Sequence, residues 1–288
     1  MKISTELGSI SQRVGREKAI EMAAKAGFDA FDFSMVTLAG YDNTQGCRIP
    51  NPDDPLSSPE YLQYVRHLRQ VADDNGLPCN QSHAPFPVRD AFVRSMLLRA
   101  IECTAEIGGK ICVIHPNNDK SAEENADMYR ELLPFAKSCG VKIATENMWN
   151  WDDKKGHARP AACSHHDDFL AHIEAVNDPF LVACVDVGHA QMRGLNTSAV
   201  DMIRTLKHHV QALHIHDNDL INDNHQIPFS LNIDYAPIVK ALKDIDYTGY
   251  FTLEANAHFK ANPGQDTFSG VLEMAHAARR LADMFESL

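Results

Sequence analysis

Six side chains able to bind a metal ion or move a proton recur at one kind of place in this sequence, the end of an apolar, strand-like run. They are His83, His115, Glu146, Asp186, His214 and Glu254. The clearest case is the stretch 181–192, LVACVDVGHAQM. A run of the kind buried on both faces of a sheet ends there in Asp186-Val187-Gly188-His189. Gly188 lets the backbone turn, so Asp186 and His189 can both face whatever lies beyond the strand. A later run, VQALHIH, closes on His214 and His216. One such residue taken singly is more often a structural polar group, but six consecutive strand ends are not explained that way. So many carboxylates and imidazoles gathered in one place are costly, because like charges among them shift one another's pKa and oppose folding, a conflict that a divalent cation removes. Glu146, Asp186, His214 and Glu254 form an oxygen-rich set that suits one divalent cation, Mn²⁺ first, with Mg²⁺, Co²⁺ or Zn²⁺ as alternatives. Asp223 and His225, two residues apart in a polar loop, could join His189 as a separate ligand group; a plain surface loop is an equal reading.

Six strand ends can meet only if the strands run the same way. Strand patterns occur at 2–6, 30–35, 78–83, 111–115, 141–146, 181–186, 210–216 and 250–254. Helical spacing follows each, as at 16–26 before Gly27, 61–74, 91–107 and 122–138. Ser164-His165-His166-Asp167 has the form of a capping box opening a helix through Val176. Two long loops, 36–58 and 147–163, are expected to be functional rather than mere connections. The second carries Trp149 and Trp151, the only tryptophans, which could cover a substrate or simply pack. Eight β/α units in about 250 residues is the arithmetic of a (β/α)₈ TIM barrel of the α/β class. The expectation is one domain over residues 1–288. An open doubly wound sheet is the alternative, but no glycine-rich phosphate motif follows the first strand.

Composition narrows the partners. The chain has 288 residues with 27 basic and 39 acidic side chains, a net charge of −12, which disfavours nucleic acid and anionic membrane as partners. No apolar run approaches a membrane span, and the N-terminal MKISTELGSISQ lacks the apolar core of a signal peptide. Seven scattered cysteines without C-x-x-C spacing fit a reducing cytoplasm. Oligomeric state is open between monomer and homo-oligomer.

The motifs IHP (114–116), TEN (145–147), DVGHA (186–190), HIHDND (214–219), DNH (223–225) and LE (253–254) resemble those of the xylose isomerase-like barrel superfamily. That superfamily includes sugar isomerases and epimerases and the apurinic endonucleases. The resemblance implies that Glu146, Asp186, His214 and Glu254 hold one divalent cation. It further implies that Glu146 and Glu254 flank the carbon that exchanges its proton and that His189 contacts the substrate. His83, His115, His216 and Trp151 are assigned with His189 to substrate binding. The expected activity is isomerisation or epimerisation of a small sugar or related hydroxy-carbonyl compound. Dehydration of a polyol or cyclitol derivative, which uses the same proton abstraction, is an alternative. The rival reading is a trinuclear zinc phosphodiesterase like the DNA-repair branch. That branch's nine ligands have counterparts here in His83, His115, Glu146, Asp186, His189, His214, Asp223, His225 and Glu254. The acidic chain argues against it, since a nuclease must neutralise phosphates. A non-enzymatic sugar-binding barrel would lack metal ligands, and all four are present. One departure is Pro228-Phe229-Ser230-Leu231, where isomerase-like members often carry P-G-x-G.

Overall fold

The computed structural model describes residues 1–44 and 46–288. Eight strands pair in parallel: β1 (Lys2–Glu6), β2 (Ala30–Ser34), β3 (Cys79–His83), β4 (Ile111–Val113), β5 (Lys142–Glu146), β6 (Leu181–Asp186), β7 (Val210–His214) and β8 (Tyr250–Leu253). Consecutive strands from β1 to β7 are hydrogen-bonded to one another, and β1 also pairs with β8. The remaining gap closes through a parallel bridge between Ile215 and Leu253. There the Ile215 N–H donates to Thr252 O at 2.9 Å and the Glu254 N–H to Ile215 O at 3.0 Å. The sheet is thus a closed (β/α)₈ barrel with helices outside. Among the described residues no helix is long and apolar enough to cross a membrane.

Alternation along the strands sorts the side chains. Ile143, Leu181, Ala183, Val185, Leu213 and Phe251 join the large core under the helices. Val113, Ala144, Val182, Cys184 and Ala212 form a smaller cluster of their own in the barrel interior. Counting on by two from Val113, Ala144, Cys184 and Ala212 reaches His115, Glu146, Asp186 and His214. The period of two therefore turns each polar strand end inward at the C-terminal mouth.

Helices form where expected, with local differences. Gly27, at φ 92°, ends the helix Arg16–Ala26, and Ser121 and Glu124 make a reciprocal cap on Ala122–Ser138. The helix expected at 91–107 breaks at Met96 into Ala91–Ser95 and Leu97–Glu106; apolar periodicity runs on across the break and conceals it. A short helix, Gly8–Val14, precedes Arg16–Ala26 and is too brief to show a period. No capping box forms at 164–167. Instead the His165 ring accepts the Asp167 N–H at 3.3 Å. Both long loops contain antiparallel hairpins, Ala39–Asp42 with Cys47–Pro50 and Asn150–Asp152 with His157–Arg159.

A buried ion pair fastens the first of these loops to the barrel wall. Arg16 donates through Nη1 and Nη2 to the two oxygens of Asp54, each at 2.8 Å, and the Thr37 hydroxyl and Leu56 N–H also donate to that carboxylate. Burial works to raise the Asp54 carboxyl, but Arg16 overcomes it and holds the group below its ordinary value. A depressed carboxylate stabilises the fold above its unfolded pKa, near ~4, and that stabilisation is lost as pH falls through the folded value. Asp54→Ala should cost about 3 kcal/mol at neutral pH, by urea denaturation. The difference from wild type should shrink in acid; a difference independent of pH would contradict this account.

Candidate active site

The inward strand ends surround a cavity of about 490 Å³ at the barrel mouth. His83, His115, Glu146 and Glu254 line it, together with His189, Asp223 and His225 from the loops. Asp186 and His214 lie beneath the surface, both 0% exposed.

Three of the four expected ligands, Glu146, His214 and Glu254, come together, and Asp186 lies against His189 and His216. His214 Nδ1 is 3.2 Å from Glu146 Oε1 and 3.6 Å from Glu254 Oε2. Both Glu146 oxygens, Asp186 Oδ2 and His214 Nδ1 are buried without a hydrogen bond. Unpaired polar atoms at this depth carry a desolvation penalty of several kcal/mol, about 1–3 each even when neutral, so their convergence fits a cation. The groups behind them are satisfied. His214 Nε2 faces Asp32 Oδ2 at 3.1 Å, and Gln81 donates to the same oxygen at 2.9 Å. Asp32 fixes a proton on Nε2, so Nδ1 is the atom turned to the carboxylates and available to a cation. Asp186 Oδ1 accepts the His189 N–H at 2.7 Å, leaving Oδ2 free.

The two glutamates differ in charge. Burial tends to raise Glu146, but His214 and His115 hold it well below the carboxylate range. Burial pushes Glu254 up to about 8, with Glu146 and Asp186 adding to the effect against the pull of His214 and His225. Two like charges so close cannot both persist without a counter-charge.

Two further groups flank this set. His115 Nε2 lies 3.2 Å from Glu146 Oε2 and 3.0 Å from His83 Nε2. Burial, with His115 and His214 nearby, lowers His83 to about 4, so its ring is neutral near pH 7. On the other side His189, His216 and His225 gather round Asp223, with Nε2 atoms 3.4, 3.5 and 3.0 Å from its oxygens. His83, His189 and His225 share one device: each Nδ1 donates to a backbone carbonyl, of Ala84, Asn147 and Glu254 respectively. A carbonyl can only accept, so Nδ1 carries a proton in each and Nε2 is the atom turned to the group. Burial lowers His225, but Asp223 overcomes it and raises the ring to about 9, so its Nε2 also donates to that carboxylate. All nine residues with counterparts in the three-metal pattern are therefore brought into one connected site.

Two residues assigned to substrate contact are not on the cavity wall. His216 is 0% exposed, enclosed between Asp186 and Asp223, and stacks on His225 with ring centroids 3.8 Å apart. Trp151 points outward from its hairpin, whereas Trp149 lines the cavity and lies 6.4 Å from the His189 ring. Trp151 lies within the hairpin strand Asn150–Asp152, whereas Trp149 precedes it and is placed by the loop leaving Glu146, which their closeness in sequence did not reveal. The sequence reading began at the third strand and so missed Glu6 and Ser34, which also line the cavity. The signal was present in KISTE, whose alternation ends in a carboxylate.

Comparisons with known proteins agree with this architecture. The family described as Xylose isomerase-like TIM barrel matches residues 20–282. An uncharacterized protein of Methanocaldococcus jannaschii is 24% identical over 215 residues, covering 68% of this chain and 70% of the relative. Among solved structures, a D-tagatose 3-epimerase-like protein superposes with a TM-score of 0.72 at 20% identity, covering 100% of this chain and 99% of that one. An L-ribulose 3-epimerase gives 0.72 at 18% identity, with 100% and 95% covered. A 3-keto-D-glucoside 4-epimerase from E. coli gives 0.70 at 15%, with 98% and 99% covered.

Gly188 makes the tight packing of the loop histidines possible, since a Cβ there would overlap the His216 ring. Gly188→Ala should destabilise the protein by about 2 kcal/mol. In a His216→Ala background the same change should cost under about 1 kcal/mol, because the space has been vacated. Equal penalties in both backgrounds, by chemical denaturation, would refute this packing.

Proposed function

Since this chain belongs to the xylose isomerase-like TIM barrel family, we propose that it is a divalent-metal-dependent isomerase or epimerase of a small sugar or related hydroxy-carbonyl compound. The observation that carries the reading is the pair of carboxylates, Glu146 and Glu254, set on either side of His214 Nδ1 at the cavity floor. The epimerase names of several fold neighbours support the same class.

Glu146, Asp186, His214 and Glu254 would hold the cation, and their oxygen-rich character suits Mn²⁺ better than a structural zinc. When bound, it would polarise a carbonyl and its neighbouring hydroxyl and acidify the C–H between them. Glu146 and Glu254 then take and return that proton. Return to the neighbouring carbon gives the isomer, and return from the opposite face gives the epimer. His189, held through Nδ1 by the Asn147 carbonyl and lining the cavity, contacts the substrate. Phe86 and Trp149 on the wall exclude water from the exchanging proton.

A trinuclear zinc phosphodiesterase is the second reading, favoured by the gathering of all nine histidines and carboxylates. The wall weighs against it. Beyond the histidines, its cationic side chains among the described residues are Arg89 and Lys260, few for gripping a polyanionic backbone.

Incubation with ketoses in deuterated water, followed by NMR, should show deuterium entering the carbon beside the carbonyl. Glu146→Gln and Glu254→Gln should each slow exchange by about 10²–10⁴-fold. Purified protein should carry about one Mn²⁺, Mg²⁺ or Co²⁺ per chain by elemental analysis. About three zinc ions, no exchange and hydrolysis of a phosphodiester would replace this reading with the second.

A further inference from the structure

Across the mouth from Glu146 the cavity wall carries a carboxylate that the proton-transfer chemistry does not use. Glu6 ends β1, and in an eight-stranded barrel β1 faces β5. Its side chain lines the cavity and the residue is only 3% exposed. Its hydrogen-bond partners are uncharged, the Gly8 N–H donating to Oε2 at 2.8 Å and the Ser34 hydroxyl lying alongside, and burial, with Asp32 nearby, pushes its carboxyl up to about 7. No lysine or arginine pairs with it among the described residues. Gly8 keeps the spot open, because a Cβ there would come within 2.9 Å of Ser34 Oγ and 2.5 Å of Glu6 Oε1. Beyond the histidines, the cations of this cavity among the described residues are Arg89 and Lys260. The Arg89 side chain is 66% exposed and lies 3.6 Å from Asp119, and Lys260 is exposed.

We propose that Glu6, with Ser34, is a specificity-determining group that accepts a hydrogen bond from the distal hydroxyl of a neutral polyhydroxy substrate and excludes substrates bearing phosphate there. This deepens the isomerase or epimerase reading and rests on it. A substrate whose reacting end lies over Glu146 and Glu254 extends across the cavity, and its far end meets the β1–β2 wall. A hydroxyl can donate to a carboxylate in a charge-assisted hydrogen bond, and burial strengthens that bond. A phosphate would either meet the ionised carboxylate as a like charge or hold it protonated, and with no lysine or arginine paired to Glu6 both alternatives select against it.

Isothermal titration with D-tagatose, its 6-deoxy analogue and D-tagatose 6-phosphate tests this, alongside deuterium exchange on the same protein. Wild type should bind the parent sugar about tenfold more tightly than the deoxy analogue, and by a larger factor than the phosphate. Glu6→Gln keeps the acceptor for Gly8 and removes the charge, so discrimination against the phosphate should fall at least about tenfold. Glu6→Ala should abolish discrimination against the deoxy sugar, and Ser34→Ala should reduce it. Tighter binding of the phosphate, unchanged ratios in the Glu6 variants, or no binding of tagatose would overturn the proposal. Deuterium exchange with unchanged ratios would sink this proposal and leave the reaction assignment standing. Glu6-dependent discrimination without exchange would do the reverse.

Discussion

The buried carboxylate of Glu146 is the constraint around which the mouth of this barrel is arranged. Neither of its oxygens receives a hydrogen bond, yet the residue is 0% exposed. An ion in that position is tolerated only with compensating charge close by. His115 and His214 each come to 3.2 Å of it, and His189 and His83 stand just beyond. Three of those imidazoles, His83, His189 and His214, are in turn oriented from behind, by Ala84, Asn147 and Asp32 respectively. The second layer of contacts therefore decides which ring nitrogen faces the carboxylates, and so which atoms are available as ligands.

The barrel can hold such a group because stability is supplied elsewhere. The strands put their larger apolar side chains under the helices and keep the interior narrow with Ala144, Cys184 and Ala212. Small interior residues leave the polar layer above them unobstructed. Closure of the backbone through Ile215 and Leu253 satisfies the strand hydrogen bonds right up to Glu254, so the charged layer sits on a rigid rim. The Arg16–Asp54 pair extends that rigidity into the loop after β2.

The wall above the floor has a different character. Phe86 and Trp149 give it apolar faces, whereas Asn117, Asn118 and Asn150 offer neutral hydrogen-bonding groups. A mixed aromatic and amide wall around an enclosed volume matches a small hydroxylated molecule better than an extended polyanion.

Much of this was legible in the chain itself. Eight apolar runs alternating with helical spacing fixed the barrel, and each metal-competent residue followed its strand at a regular step, because strand periodicity is a local property. The hairpins at 39–50 and 150–159, the break at Met96 and the cap at His165 were not legible, since each depends on which competing local arrangement the surrounding structure rewards. The placement of His216 behind Asp186, of Trp149 inward and Trp151 outward, and of Glu6 opposite Glu146 was decided only when the sheet closed. Residues 140 positions apart face one another across a barrel because of its circumference, and no window of the sequence contains that distance.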